Sequence, residues 1–278
     1  MRTTTRGFRT PGNEGSTVRI ARFSIGTTVS FGVIDGDTIA AIEAAPWHSM
    51  DRTGEAYPLS DVRLLAPVQP PDVFAIGLNY KSHADEFEAE YPPAPIVFLK
   101  ATSSVIGPGD EIVLPAMAPD EVDYEAELVL VIGRNCRNVS PRDALDYVLG
   151  CTIGNDVSAR DCQLREDTQW ARGKSFDTFC PLGPWIETDI DPGNASVGST
   201  LNGEVMQDAN TNMLIFPCAE LVSYISRIAT LRPGTVIMTG TPSGVGFKRQ
   251  PPVFLRPGDT IDITVGGIGT LRNPVIAE

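Results

Sequence analysis

The chain lacks several of the signatures that settle a function at once. Its five cysteines (Cys136, Cys151, Cys162, Cys180 and Cys218) are odd in number and have no CxxC spacing. That excludes a disulfide framework and a cysteine zinc site, and the thiols read as reduced, in a cytosol, with no secretory signal before them. No apolar run approaches the length of a membrane span. Positive charge is also short, at 22 Lys and Arg against 35 acids, a net charge of −13. A field of that sign repels phosphate backbones and argues against nucleic acid as a partner. Two nucleotide motifs fail as well. A P-loop ending at Lys174 needs glycine where Thr168 stands, and the stretch Gly240 to Gly246 contains no G-x-G-x-x-G. Histidine is scarce, which narrows any imidazole base to His48 or His83.

What is present suits an ordered protein rich in turns. At 278 residues, 42% hydrophobic and 21% charged, the chain can bury a sizeable core. Gly (26) and Pro (23) supply the special φ values that tight turns require. Residues 1–18 carry Arg2, Arg6 and Arg9 among threonines without an amphipathic face, and read as a disordered tail. Alternating strands follow over 19–44, with the hairpin signal Asp35-Gly36, so 19–65 is expected to form a small β domain. The three prolines between Leu64 and Pro71 mark a linker into a main domain over 66–278. There the expected strands include Val73–Gly77, Ile96–Lys100 and Val236–Met238. A short helix is expected within 78–87. Ser140 and Pro141 open another that Gly150 closes, and a third runs from Pro217 to Ala229 with Leu221, Tyr224, Ile225 and Ile228 on one face. Strands outnumber scattered helices, which makes the class a β-rich α+β fold.

The chemistry centres on Asp123-Tyr124-Glu125-Ala126-Glu127, which runs into Leu128-Val129-Leu130-Val131-Ile132-Gly133. The apolar half reads as a buried strand, and alternation puts Asp123, Glu125 and Glu127 on one face. Such a row is either a wet strand start or an oxygen site for a hard cation. Asp156, just past the next strand, is either the N-cap of a helix from Ser158 or a third carboxylate for Mg²⁺ or Mn²⁺. If the segment after it is helical, Arg160 and Gln163 share a face with Asp156. His83 and Glu86, three apart, stack on one helical turn.

Taken in order, these pieces resemble the fumarylacetoacetate hydrolase superfamily, in particular its acylpyruvate-hydrolase-like members. The matching stretches are Gly77-Leu78-Asn79-Tyr80 with His83 and Glu86, Phe98-Leu99-Lys100, Glu125-x-Glu127 and Asn155-Asp156 through Arg160 to Gln163. Gly173-Lys174-Ser175-Phe176-Asp177 and Thr239-Gly240-Thr241-Pro242 complete the set. The resemblance implies a mixed β-sheet roll, a homodimer, and Mg²⁺ or Mn²⁺ held by Glu125, Glu127 and Asp156. It implies a water-activating pair of His83 and Glu86 on a lid, with Lys174 stabilising negative charge. Tyr80, Lys100, Arg160, Gln163 and Thr241 are then the substrate contacts. The implied reaction is hydrolysis of a C–C bond in a 2,4-dioxo acid, in which activated water attacks the C4 carbonyl and a pyruvate-type enolate leaves. Relatives with the same residues decarboxylate oxaloacetate, isomerise dienoates or act on ureidoglycolate, so a lyase or isomerase of oxo acids is the alternative. A noncatalytic binder of metal or oxo acid is the reading from another class.

Overall fold

The computed structural model describes residues 17–278. The tail expected over 1–18 therefore lies outside the described residues, apart from its last two.

The described chain opens as an antiparallel meander of strands Arg19–Ile25, Thr28–Asp35, Thr38–Ile42 and Arg52–Pro58. Asp35-Gly36 makes the hairpin, with Gly36 at a φ of 57° that a side chain would resist. Ala21, Phe23, Ile34, Ile39 and Ala41 form a small core of their own. Through Arg19↔Glu187 and Ile20↔Ile186 the meander joins the strand Cys180–Glu187. From there the sheet continues through Val148–Asn155, Ala126–Ile132, Val236–Met238, Val73–Gly77 and Ile96–Lys100. Most neighbours are antiparallel, but Val236–Met238 runs parallel to Val73–Gly77. A second sheet orders Glu204–Asn210, Ser196–Leu201, Thr260–Val265, Gly269–Ala277 and Ile112–Leu114, its last pair parallel. The architecture is a β-rich α+β fold built on mixed sheets.

The strand Ala126–Ile132 is buried on both faces. Leu128, Leu130 and Ile132 pack with Val197, Ile261 and Leu271 of the second sheet. Val129 and Val131 pack on the other side with Leu182, Ile186 and Met238. An unbroken Leu/Val/Ile run is what two-sided burial selects, and truncating one such Leu to Ala costs about 2–5 kcal/mol.

Two helical expectations need correction. No helix runs from Pro141: a single 3₁₀ turn, Ala144–Tyr147, leads straight into Val148–Asn155. Ser140 Oγ donates to Asp143 Oδ2 at 2.7 Å instead of capping a helix. Gly150 is a strand residue, glycine because a Cβ there would lie 2.4 Å from the Glu187 carbonyl oxygen. The helix Cys218–Ile228 does form, burying Leu221, Val222 and Ile225, but Ile228, its last residue, is exposed and does not join the buried stripe. Among the described residues no helix is long and apolar enough to cross a membrane.

Candidate active site

Antiparallel register assembles the acids. Ala126 pairs with Asn155 and Glu127 with Gly154, so the beginning of one strand lies against the end of the next. Two further bonds tie the flanking residues: the Glu125 amide donates to Asn155 Oδ1 at 3.0 Å, and the Asp156 amide to the Glu125 carbonyl at 3.0 Å. Glu125, Glu127 and Asp156 are all buried, and each offers a carboxylate oxygen within 4.8 Å of the others.

Cations from three separate segments converge on this group. Lys174 Nζ donates to Glu125 Oε2 at 2.9 Å and to Asp156 Oδ2 at 2.7 Å. Lys100 Nζ donates to Asp156 Oδ1, and to the Val157 carbonyl at 3.2 Å. Arg160 sets Nη1 2.7 Å from Glu125 Oε1 and donates to Gln163 Oε1 at 2.9 Å, while its Nε donates to Asp123 Oδ2 at 2.9 Å. Arg160 Nη2 lies 2.8 Å from that same Asp123 oxygen but off the hydrogen-bond line, which leaves it donor capacity. Burial would raise the Glu125 carboxyl, but the charges of Lys174 and Arg160 outweigh it and hold the group below the usual range. Glu127 differs. Burial, then Asp156 and Glu125, push its carboxyl well above the usual range, and the 2.7 Å bond from the Gly240 amide offsets this only in part.

Four buried carboxylates, counting Asp123, thus face three buried cations, and among the described residues Glu127 has no cation in contact. An all-oxygen donor set with uncompensated negative charge fits a hard divalent ion. Glu125, Glu127 and Asp156 are the residues that would hold it.

A cavity of about 220 Å³ opens beside the acids, lined by His83, Glu125, Arg160, Gln163, Lys174 and Thr241 on its polar side. His83 sits in the helix Lys81–Glu86 with Nδ1 3.3 Å from Glu86 Oε2, and Glu86 Oε1 accepts from the Gly244 amide at 3.0 Å. Leu78, which also lines the cavity, holds a φ of 50°, a strained value for a branched residue and of a kind that clusters at functional sites. Lys100 is buried behind Asp156, outside the lining. Tyr80 is fully buried, its hydroxyl has no hydrogen-bond partner among the described residues, and it is not part of the cavity lining.

The shared helical face expected of Asp156, Arg160 and Gln163 does not form. The chain stays extended through Ser158–Ala159, because that pair bridges to Val122–Asp123, and only Arg160 and Gln163 share a turn. Three supporting residues are not among the expected site residues, although Asp123 stands in the acidic row and Asn79 in the Gly77–Tyr80 stretch. Asp123 accepts from Arg160 and from the amides of Gly246 and Phe247. Asn79 donates to the Thr239 carbonyl at 2.8 Å, steadying the turn that presents the Gly240 amide. Gln207 donates to Thr241 Oγ1 at 2.8 Å from a strand whose other polar residues face solvent or the rim. A polar residue in a half-polar strand looks the same whether it points at water or at a site.

A mixed-sheet fold with a buried carboxylate triad able to hold a divalent ion, a lysine bridging two of its members and a histidine–glutamate pair at the cavity has the make-up of an enzyme site. The chain belongs to the fumarylacetoacetate hydrolase superfamily: residues 72–276 match the family described as "Fumarylacetoacetate (FAA) hydrolase C-terminal", and residues 18–67 match "Rv2993c-like, N-terminal". It is 46% identical over 224 residues to the mitochondrial oxaloacetate tautomerase of Homo sapiens, covering 79% of this chain and 71% of that protein. It also resembles the solved 5-carboxymethyl-2-hydroxymuconate delta-isomerase of Mycobacterium smegmatis, with TM-score 0.86, 46% identity, and 94% and 100% of the two chains covered. The 2-hydroxyhepta-2,4-diene-1,7-dioate isomerase of Mycobacterium marinum matches with TM-score 0.85 and 43% identity over 94% and 99%.

Proposed function

We propose that this enzyme interconverts tautomers or double-bond isomers of small 2-oxo acids, with the keto–enol exchange of an oxaloacetate-like acid as the reaction. The C–C hydrolysis expected from sequence becomes the second reading. The relatives named above as a tautomerase and as isomerases support this order. The observation that carries it is the Lys174 ammonium, buried between Glu125 and Asp156 beside His83 and Arg160. That is a fixed positive environment for an enolate oxygen, with a proton carrier in the same cavity.

Tautomerisation needs only a proton moved between carbon and oxygen. With its Nδ1–H donated to Glu86, His83 has Nε2 free as a base. The proton on C3 passes to Nε2, the C–H electron pair becomes the C2–C3 double bond, and the carbonyl pair moves onto oxygen. Return of the proton to that oxygen gives the enol, and the reverse gives the ketone. Arg160 and Gln163 are suited to hold the carboxylate, and Lys174 to face the oxygen that gains charge. A divalent ion on Glu125, Glu127 and Asp156, Mg²⁺ or Mn²⁺ in our proposal, would supply Lewis acidity to the oxo group when bound.

The test follows the enol absorbance of oxaloacetate with Mg²⁺ present while assaying pyruvate separately. Catalysed loss of enol without pyruvate is the expected result, with His83→Ala slower by roughly 10²-fold or more. Stoichiometric pyruvate would replace this reading with C–C cleavage.

A further inference from the structure

The cavity has a second side that proton transfer does not use. Besides Arg160 and Lys174 its lining includes Ile76, Phe98, Leu164 and Trp170, none of them charged. Trp170 packs edge-on against Phe98, with centroids 5.6 Å apart and planes at 76°. The same Phe98 ring lies 5.3 Å from Lys174 Nζ, so the aromatic pair adjoins the cation that would face the enolate. A 2-oxo acid whose head meets Arg160 and Lys174 therefore runs its remaining carbons toward this pair.

The indole is wedged in place. At Gly77 a Cβ would lie 2.5 Å from Trp170 Cζ3 and 2.9 Å from Cη2, so only the bare glycine lets the ring rest on the strand end. Trp170 is the N-cap of the short helix Ala171–Lys174, its carbonyl accepting from the Lys174 amide at 3.1 Å, and a Cβ at Gly173 of that helix would meet the Ala159 oxygen at 2.9 Å. That helix is thus packed closely against the Ala159 backbone at Gly173. An indole packed on Gly77 and lining a cavity of about 220 Å³, below the range of about 300–1,000 Å³ usual for drug-sized ligands, limits the chain beyond the oxo acid head.

We propose that Trp170 is the specificity-determining residue that sets substrate length, restricting this enzyme to short 2-oxo acids and admitting longer apolar ones once the indole is removed. This inference rests on the oxo-acid reading of the site, and its test is a binding measurement that does not depend on turnover.

The probes are oxaloacetate, acetylpyruvate and benzoylpyruvate, titrated calorimetrically with Mg²⁺ into wild type, Trp170→Phe and Trp170→Ala. Wild type is expected to bind the two short acids and to bind benzoylpyruvate at least tenfold more weakly. The ratio of benzoylpyruvate to oxaloacetate affinity should rise by roughly tenfold or more in Trp170→Ala, the scale of a pocket-size effect, with Trp170→Phe between. Trp170→Phe keeps an aromatic partner for Phe98, so the series is readable even if the alanine variant fails to fold. Wild type binding benzoylpyruvate as tightly as oxaloacetate, or an unchanged ratio in a folded variant, would overturn the proposal. Graded binding without tautomerisation of any probe would fail the functional reading alone, and no binding of any probe to wild type would fail both.

Discussion

Arg160 and Asp123 form a fully buried pair, Nε to Oδ2 at 2.9 Å, and the same carboxylate also accepts the amides of Gly246 at 2.8 Å and Phe247 at 3.0 Å. One side chain thus fixes both the guanidinium of the site and the loop beside it. Asp123→Ala would strand two amides and leave the buried Arg160 with only Glu125 and Gln163 to answer its charge. The expected cost is about 3–5 kcal/mol of stability, measured by urea denaturation, together with loss of activity as Arg160 shifts. A loss below about 1 kcal/mol, the scale of an exposed pair, would show that Arg160 finds another partner.

The candidate metal ligands separate by their cation contacts. Glu125 and Asp156 share Lys174, with Arg160 also on Glu125 and Lys100 on Asp156, whereas among the described residues Glu127 is opposed by an amide alone. With its carboxyl raised by burial and by its acidic neighbours, the metal-free fold favours protonated Glu127. Stability of the metal-free wild type should accordingly fall as pH rises from the ordinary carboxylate range toward this raised one. Glu127→Gln should abolish Mg²⁺ binding by calorimetry and yet melt no lower than metal-free wild type at neutral pH. Mg²⁺ should stabilise wild type by about 2.7 kcal/mol at 100 times its Kd, and the variant not at all. Undiminished Mg²⁺ binding by the variant would remove Glu127 from the ligand set.

After the helix Lys81–Glu86 the chain runs without regular structure to Ile96, and in between Phe87 and Ala89 reach the cavity. Phe87 stacks on Phe247 at 6.1 Å, and otherwise the stretch is acidic and proline-rich. It is expected to tighten over a bound oxo acid. Hydrogen exchange across 82–95 should slow when Mg²⁺ and oxalate are added together. Identical protection with and without them would count against a lid.

All five cysteines are buried, and burial pushes the thiols of Cys180 and Cys218 up to about 12. The thiolate is the reactive form, so at pH 8 the native protein should react with a thiol-specific chromogen only as fast as it unfolds. Denatured protein should release the full count of five. A fast-reacting thiol in native protein would show that one of these sites opens.

Local patterns recovered what depends on neighbours in sequence. Asp35-Gly36 names its hairpin because few residues accept that φ, and the Leu128 to Ile132 run names a strand buried on both faces. Leu221 and Ile225 mark their helix through the spacing that buries one stripe. The same reasoning failed over 141–150, where a good cap and a closing glycine suggest a helix. Gly150 answers instead to the Glu187 carbonyl of another strand, 2.4 Å from where its Cβ would be.

The sequence by itself determined which residue types carry charge and that Glu127 enters a buried strand, although that strand starts at Ala126 and leaves Glu125 just before it. It could not determine that Lys100, Arg160 and Lys174 meet one carboxylate cluster, or that Trp170 lies on Gly77. Those contacts join segments brought together by sheet order and strand register, and they hold because buried carboxylates need cations within contact distance. Only the tertiary structure decides which of the chain's 22 basic residues supply them.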